Sequence, residues 1–248
     1  MMKAMKISAC ALAVAAACTL AGCSSANQGS GGDGVAGQQA TQNESGVAAS
    51  ANKEAETTTL DAVLDEITAD FETTNADIVA SLEDVKSKAG GSYADYAANK
   101  DMLTNWFSDA QEKADGLYAR TRENSKKYFT LLADQGSSLE YRDMDDAMKA
   151  YYRAVYDDAF KSMYRDVYTD AFKDVYRTFY GGVMKEAYDV LSYSEASDAQ
   201  SDLYRAISDA QSDFYQAESD AQGGVYEMYS DVYSELYNKE YDLSSVLD

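Results

Sequence analysis

Residues 152–187 read YRAVYDDAFKSM, YRDVYTDAFKDV and YRTFYGGVMKEA, a 12-residue unit written three times. An aromatic ring recurs at every fourth position: Tyr152, Tyr156, Phe160, Tyr164, Tyr168, Phe172, Tyr176 and Tyr180. A strand is the first reading to test, since four is a multiple of two and tyrosine favours strands. It would place Asp158, Asp166, Asp170 and Asp174 on the ring face and Val155, Ala159, Val167 and Val175 opposite, leaving neither face apolar. A helix instead sets an apolar residue beside each ring and brings Asp157 to Lys161 and Asp170 to Lys173 within one turn. The stretch is therefore predicted to be helical. In an α-helix a step of four advances about 40°, so the ring row from Tyr152 to Tyr180 should spiral through about 280° and form no straight seam. Such a helix needs neighbours on several sides.

Its neighbour is legible directly downstream. Residues 197–240 read SDAQSDLYRAI, SDAQSDFYQAE, SDAQGGVYEMY and SDVYSELYNKE, an 11-residue unit repeated four times. Eleven residues make almost three whole α-helical turns, so equivalent positions drift by only about 20° per repeat. One stripe results, through Ala199, Leu203, Ala206, Ala210, Phe214, Ala217, Ala221, Val225, Met228, Val232 and Leu236. Beside it stands a column of Tyr204, Tyr215, Tyr226 and Tyr237. Gly223-Gly224 is expected to weaken or kink this helix, as paired glycines do.

Two further helices precede the ladder. Leu60, Leu64, Ile67, Phe71, Thr74, Ile78, Leu82 and Val85 fall at threes and fours, with Thr58 placed to cap the start and Gly90-Gly91 to stop it. Ser92 with Asp95 opens the next, whose seam runs through Tyr96, Leu103, Phe107, Ala110, Ala114, Leu117, Tyr128 and Leu131. Lys100, Thr121 and Asn124 interrupt that seam. Trp106, the single tryptophan, reads as packing beside Phe107. Gly136-Ser137-Ser138 ends the helix, and Ser137 with Glu140 is placed to cap the following one.

Composition narrows the function classes. The 248 residues carry 43 acidic and 21 basic side chains, a formal charge of −22, with no proline and no histidine. The missing proline favours long uninterrupted helices. Without histidine no Ser/His/Asp or Cys/His catalytic set exists and the commonest metal ligand is absent. The charge opposes nucleic acid as a partner. Asp143, Asp145 and Asp146 lack the spacing of a calcium loop, and no phosphate-binding glycine motif occurs. No catalytic residue, metal site or cofactor is assigned, and the chain reads as non-enzymatic.

All three cysteines, Cys10, Cys18 and Cys23, lie within the first 23 residues. They sit in a segment with Lys3 and Lys6 near its start and an apolar run from Ile7 to Ala21, the pattern of a secretory leader. It closes on Leu20-Ala21-Gly22-Cys23. These four residues resemble the lipobox of bacterial lipoproteins. The resemblance covers only the leader. It implies cleavage between Gly22 and Cys23, a diacylglyceryl group on Cys23, and anchoring at the extracytoplasmic face of the cell membrane; two acyl chains suffice for stable attachment. Residues 23–59 then form a Ser/Gly/Gln/Ala-rich stretch with almost nothing to bury, expected to act as a flexible linker spanning about 30–35 Å.

The expected architecture is a leader over 1–22, the lipidated linker over 23–59, and an all-α, elongated antiparallel bundle over 60–248. Its helices are placed at about 60–89, 92–135, 138–192 and 195–242, with the third joint between Gly181 and Ser194. Of 21 tyrosines, 17 lie between 141 and 241, more than a bundle core needs. They read either as packing or as a surface for a protein or cell-wall glycan partner. The candidate surface is Tyr156, Tyr164, Tyr168, Tyr176, Tyr204, Tyr215, Tyr226 and Tyr237. The expected role is non-catalytic binding or display in the envelope. A small-ligand (solute or metal) binding lipoprotein and a self-associating coiled-coil surface protein are the alternatives.

Overall fold

The computed structural model describes residues 58–136 and 138–247. Four long helices account for nearly all of them, and no strand occurs among the described residues. Helix α1 spans Leu60–Ala89 and α2 spans Tyr93–Gly136. Helix α3 runs without a break over 141–190, and α4 spans Tyr193–Tyr237. The leader, Cys23 and the linker as far as residue 57 lie outside the described residues.

Each helix begins and ends for a local reason. The α1 N-cap is Thr59, one residue later than expected, whose hydroxyl accepts from the Ala62 amide at 3.2 Å. At its far end Gly90 lets α3 approach closely: a Cβ there would stand 2.7 Å from the Lys86 carbonyl and 2.8 Å from the Thr178 methyl. Helix α2 is interrupted at Asn99 (φ −126°, ψ 19°), whose side-chain amide donates to the carbonyls of Asp95 and Lys88 at 3.0 and 3.3 Å. Its last residue, Gly136, makes room for the Tyr241 ring, which a Cβ would meet at 2.3 Å. Helix α3 starts after Glu140, later than predicted, with no side-chain cap bond. Ser192 and Glu195 form a full capping box at the start of α4.

Two glycine pairs do not act as breaks. The chain stays helical through Gly181–Gly182 and through Gly223–Gly224, and turns instead at Leu191–Ser192. The buried residues that flank each pair, Phe179 with Val183 and Met184, and Val225 with Met228, are anchored in the core. That packing outweighs the helix cost of about 1 kcal/mol per glycine. Beyond α4, Lys239 takes a left-handed φ of 64° and the tail folds back to bury Leu243.

Helices α1 and α2 are antiparallel, tied by Trp106 Nε1 donating to the Ile78 carbonyl (3.1 Å) and by Arg120–Asp70 (3.0 Å). Helix α3 runs parallel to α1, as Asn75–Ser162 (3.0 Å) and Lys86–Asp174 (2.5 Å) require. It runs antiparallel to α2, and their side chains meet along the whole length. Tyr151 Oη donates to Ser125 Oγ, and ring pairs Tyr118–Phe160, Trp106–Phe172 and Tyr96–Phe179 follow upward at 5.8, 5.6 and 6.1 Å. Helices α1 and α4 each pack on both α2 and α3, from opposite sides. Trp106 is core, as the sequence implied.

Candidate binding surface: the tyrosine groove between α3 and α4

The ladder helix is not a plain α-helix. Three π-helical segments, Arg153–Phe160, Tyr164–Ala171 and Tyr176–Val183, alternate with short α-helical pieces, one π segment per 12-residue unit. A π turn closes its hydrogen bond one residue later than an α turn, so it holds more residues. The mixture averages about four residues per turn. The predicted spiral of rings is therefore wrong: at four residues per turn, every fourth residue returns to the same face. Every fourth residue from Tyr151 to Ala187 is buried, and every fourth from Arg153 to Arg177 is exposed. The rings hold a straight column between these two.

That column meets the tyrosine column of α4 with matched pitch. Twelve residues of α3 and eleven of α4 both make three turns. Tyr156, Tyr168 and Tyr180, twelve apart, accordingly meet Tyr226, Tyr215 and Tyr204, eleven apart, at ring distances of 5.8, 5.3 and 5.7 Å. Within each cluster two α3 rings lie one turn apart and face each other: Tyr152–Tyr156 at 4.9 Å, Tyr164–Tyr168 at 4.8 Å and Tyr176–Tyr180 at 4.6 Å. Tyr141–Tyr237 and Tyr188–Tyr193 continue the series at its two ends.

The glutamines of the SDAQ repeats tie the two helices together. Gln211 Nε2 donates to the Tyr168 carbonyl, Tyr156 Oη donates to the Gln222 carbonyl, and Tyr188 Oη donates to Gln200 Oε1. The spacing of eleven was visible in the sequence, but this bonding role was not foreseen.

The candidate residues divide by exposure. Tyr164, Tyr176, Tyr204, Tyr215, Tyr226 and Tyr237 are each 40–60% exposed, and Tyr168 is half-buried. Tyr156 is only 6% exposed. It belongs to the core, where Phe160 packs beside it, and it cannot meet a partner. Loss of water around the hydroxyls of Tyr168 and Tyr176 raises both above the usual tyrosine range, so they stay neutral hydrogen-bond donors. At the upper cluster, Tyr180 and Tyr204 border a depression of about 410 Å³ with Gln200, Ser201, Arg205, Ser208 and Asp209. Aromatic faces beside amide, hydroxyl and charged groups suit a polar, extended partner. No group of residues able to hold a metal ion occurs among the described residues. Cys23 and Gly22 lie outside them.

No protein-family model, curated protein or solved structure matches this chain.

Proposed function

We propose that this chain is an envelope lipoprotein, anchored through Cys23, whose helical bundle displays the α3–α4 tyrosine groove to a cell-wall glycan or protein partner. The observation that carries the reading is the repetition of one exposed ring cluster at a fixed pitch. Each exposed ring is held against another, so little side-chain freedom remains to be lost on binding. The lipobox and the linker support presentation away from a membrane surface, and the groove is long enough for a partner with repeating units.

The test compares the native chain with a variant carrying Tyr164→Ser, Tyr176→Ser, Tyr204→Ser and Tyr215→Ser in co-sedimentation with insoluble cell-wall glycan. Native binding and its loss in the variant, at unchanged helicity, is the expected result. Equal binding by both chains removes the groove from the account. No binding by the native chain removes the glycan and leaves protein. Separately, Cys23→Ala should release the protein from membranes.

A further inference from the structure

The same three-turn pitch places opposite charges on two outer flanks of the bundle. On α3 the column facing away from the buried one carries Arg153, Arg165 and Arg177, each followed eight residues later by Lys161, Lys173 and Lys185, and all six are exposed. On α4 the exposed Asp198, Asp209 and Asp220 recur every eleven residues, with Asp202 and Asp213 one turn after the first two. Asp202 and Asp213 directly precede the buried Leu203 and Phe214, whereas Tyr204 and Tyr215 directly follow them. At about 100° per residue, the acidic stripe and the tyrosine column occupy opposite flanks of α4.

We propose that these stripes are the two halves of a head-to-tail interface between copies of this chain, the basic column of α3 in one copy seated on the acidic stripe of α4 in the next. Three observations carry this. First, the pitches agree: the ring contacts show that 12 residues of α3 advance as far as 11 residues of α4, about 16.5 Å at 1.5 Å per residue. Charges in register at one repeat are in register at all of them. Second, like charges stand close together in each stripe of the single copy, relieved at one place on each: Asp157 lies between Arg153 and Lys161, and Arg205 pairs with Asp202 at 3.7 Å. Lys161 with Arg165, Lys173 with Arg177, and Asp209 with Asp213 stand one turn apart as like charges, which repel. Third, the cations are mostly unneutralised. Lys161 pairs with Asp157 and Arg165 with Asp166, while Arg153, Lys173, Arg177 and Lys185 have no carboxylate of the described residues within 4.0 Å.

A second copy fits better than a free polyanion, because it offers the acidic stripe at the matching pitch. The net charge of −22 opposes both partners at long range. Near physiological salt, however, screening over about 8 Å leaves the facing stripes in control. Since the two surfaces differ, the contact is heterologous and builds a ring or an open chain rather than a two-fold dimer. The interface leaves the tyrosine column uncovered except at the upper depression, which Asp209 borders together with Tyr180 and Tyr204.

The experiment is sedimentation of the full chain carrying Cys23→Ser, which removes any contribution from acyl groups. Salt is set at about 0.1 M and about 1 M, where the screening length falls from about 10 Å to about 3 Å. We expect a weight-average mass that rises with concentration at the lower salt and loses that rise at the higher. An α3-reversed variant (Arg165→Glu, Lys173→Glu, Arg177→Glu) and an α4-reversed variant (Asp209→Lys, Asp213→Lys, Asp220→Lys) should each be monomeric with native helicity. Mixed at equal concentration, the two should associate again, because each now carries the stripe that complements the other. A native chain that is monomeric at the lower salt overturns the proposal, and so does association that survives either reversal. Binding of inorganic polyphosphate by a monomeric native chain, lost on α3 reversal, would reassign the basic column to a polyanion.

Discussion

Tyr118 of α2 and Glu218 of α4 bring two buried oxygens into electrostatic reach of one another, and neither has a hydrogen-bond partner among the described residues. Glu218 occupies the core position filled by Ile207 one repeat earlier, and only 5% of its surface is exposed. Burial pushes its carboxyl up to about 7, while burial first, and the Glu218 charge second, raise the Tyr118 hydroxyl above the ordinary range.

Glu218 should make stability fall between mildly acid and mildly alkaline pH. Its folded value lies above the unfolded one, so the fold favours the protonated carboxyl. That contribution is complete below about 4.5 and is lost as pH rises through about 7. Glu218→Gln should therefore unfold with little pH dependence between pH 5 and 8, and be more stable than the native chain by about 2 kcal/mol at pH 8. Urea titrations at the two pH values measure it, and no histidine titration overlaps the window. An unchanged pH slope in the variant would clear Glu218 of the effect.

The π segments should make α3 tolerant of a deletion that α4 cannot bear. Removing exposed Thr169 shortens the middle unit to eleven residues, the α-helical count for the same three turns. The deletion variant should keep its helicity and melt within a few degrees of the native chain. Removing exposed Ser212 instead leaves ten residues in an α4 repeat and turns Phe214 and its successors about 100° off the core. That variant should lose cooperative melting by circular dichroism. Equal damage from both deletions would contradict the matched pitch.

Trp106 should report on the core. It is 2% exposed, packs edge-on against Phe107 and Phe172, and donates to the Ile78 carbonyl. Trp106→Ala should cost about 3–5 kcal/mol, by losing ring burial and leaving a cavity between α1, α2 and α3. Trp106→Phe should cost less, retaining the ring contacts but orphaning one carbonyl. Chemical denaturation followed by circular dichroism separates the two. In the native chain, fluorescence should shift to the red on unfolding.

Lys239 offers a gain. Its left-handed backbone suits glycine, which carries no Cβ penalty there. Lys239→Gly should raise stability by about 0.5–1 kcal/mol, read as a higher melting temperature.

The α1 seam and the joints at Gly90 and Gly136 were legible because α1 obeys the α period and each stop is a glycine that admits a close neighbour. In α2 the buried set also takes in Trp106, Tyr118, Thr121, Phe129 and Leu132, while Phe107 and Leu131 are half-buried. Even the interruption at Asn99 lies beside Lys100, a position where the apolar pattern falters. Helix α3 misled because its period was compared with 3.6 as though the helix had to be α. The clue was present: a 12-residue unit beside an 11-residue unit can keep step only if their turns differ in size. In α4 the alanines drew attention away from Ile207 and Glu218, although Ala206 is exposed and those two are buried. A carboxylate is not sought in a core, so composition gave no warning of Glu218. The buried place of Tyr156 depended on which side of α3 the neighbour took, which no repeat count contains.

The equal pitch of α3 and α4 has a consequence for folding. Two periodic surfaces can dock one whole repeat out of step and still satisfy most of their ring contacts, so competing alignments lie about 16.5 Å apart along the hairpin. What forbids them is the two-residue connection at Leu191–Ser192, closed by the Ser192–Glu195 capping box. A connection that short admits one alignment, and the pair should zip from that end toward Tyr141 and Tyr237. Lengthening this loop would therefore be felt less as lost stability than as slow, heterogeneous folding into chains one step out of line.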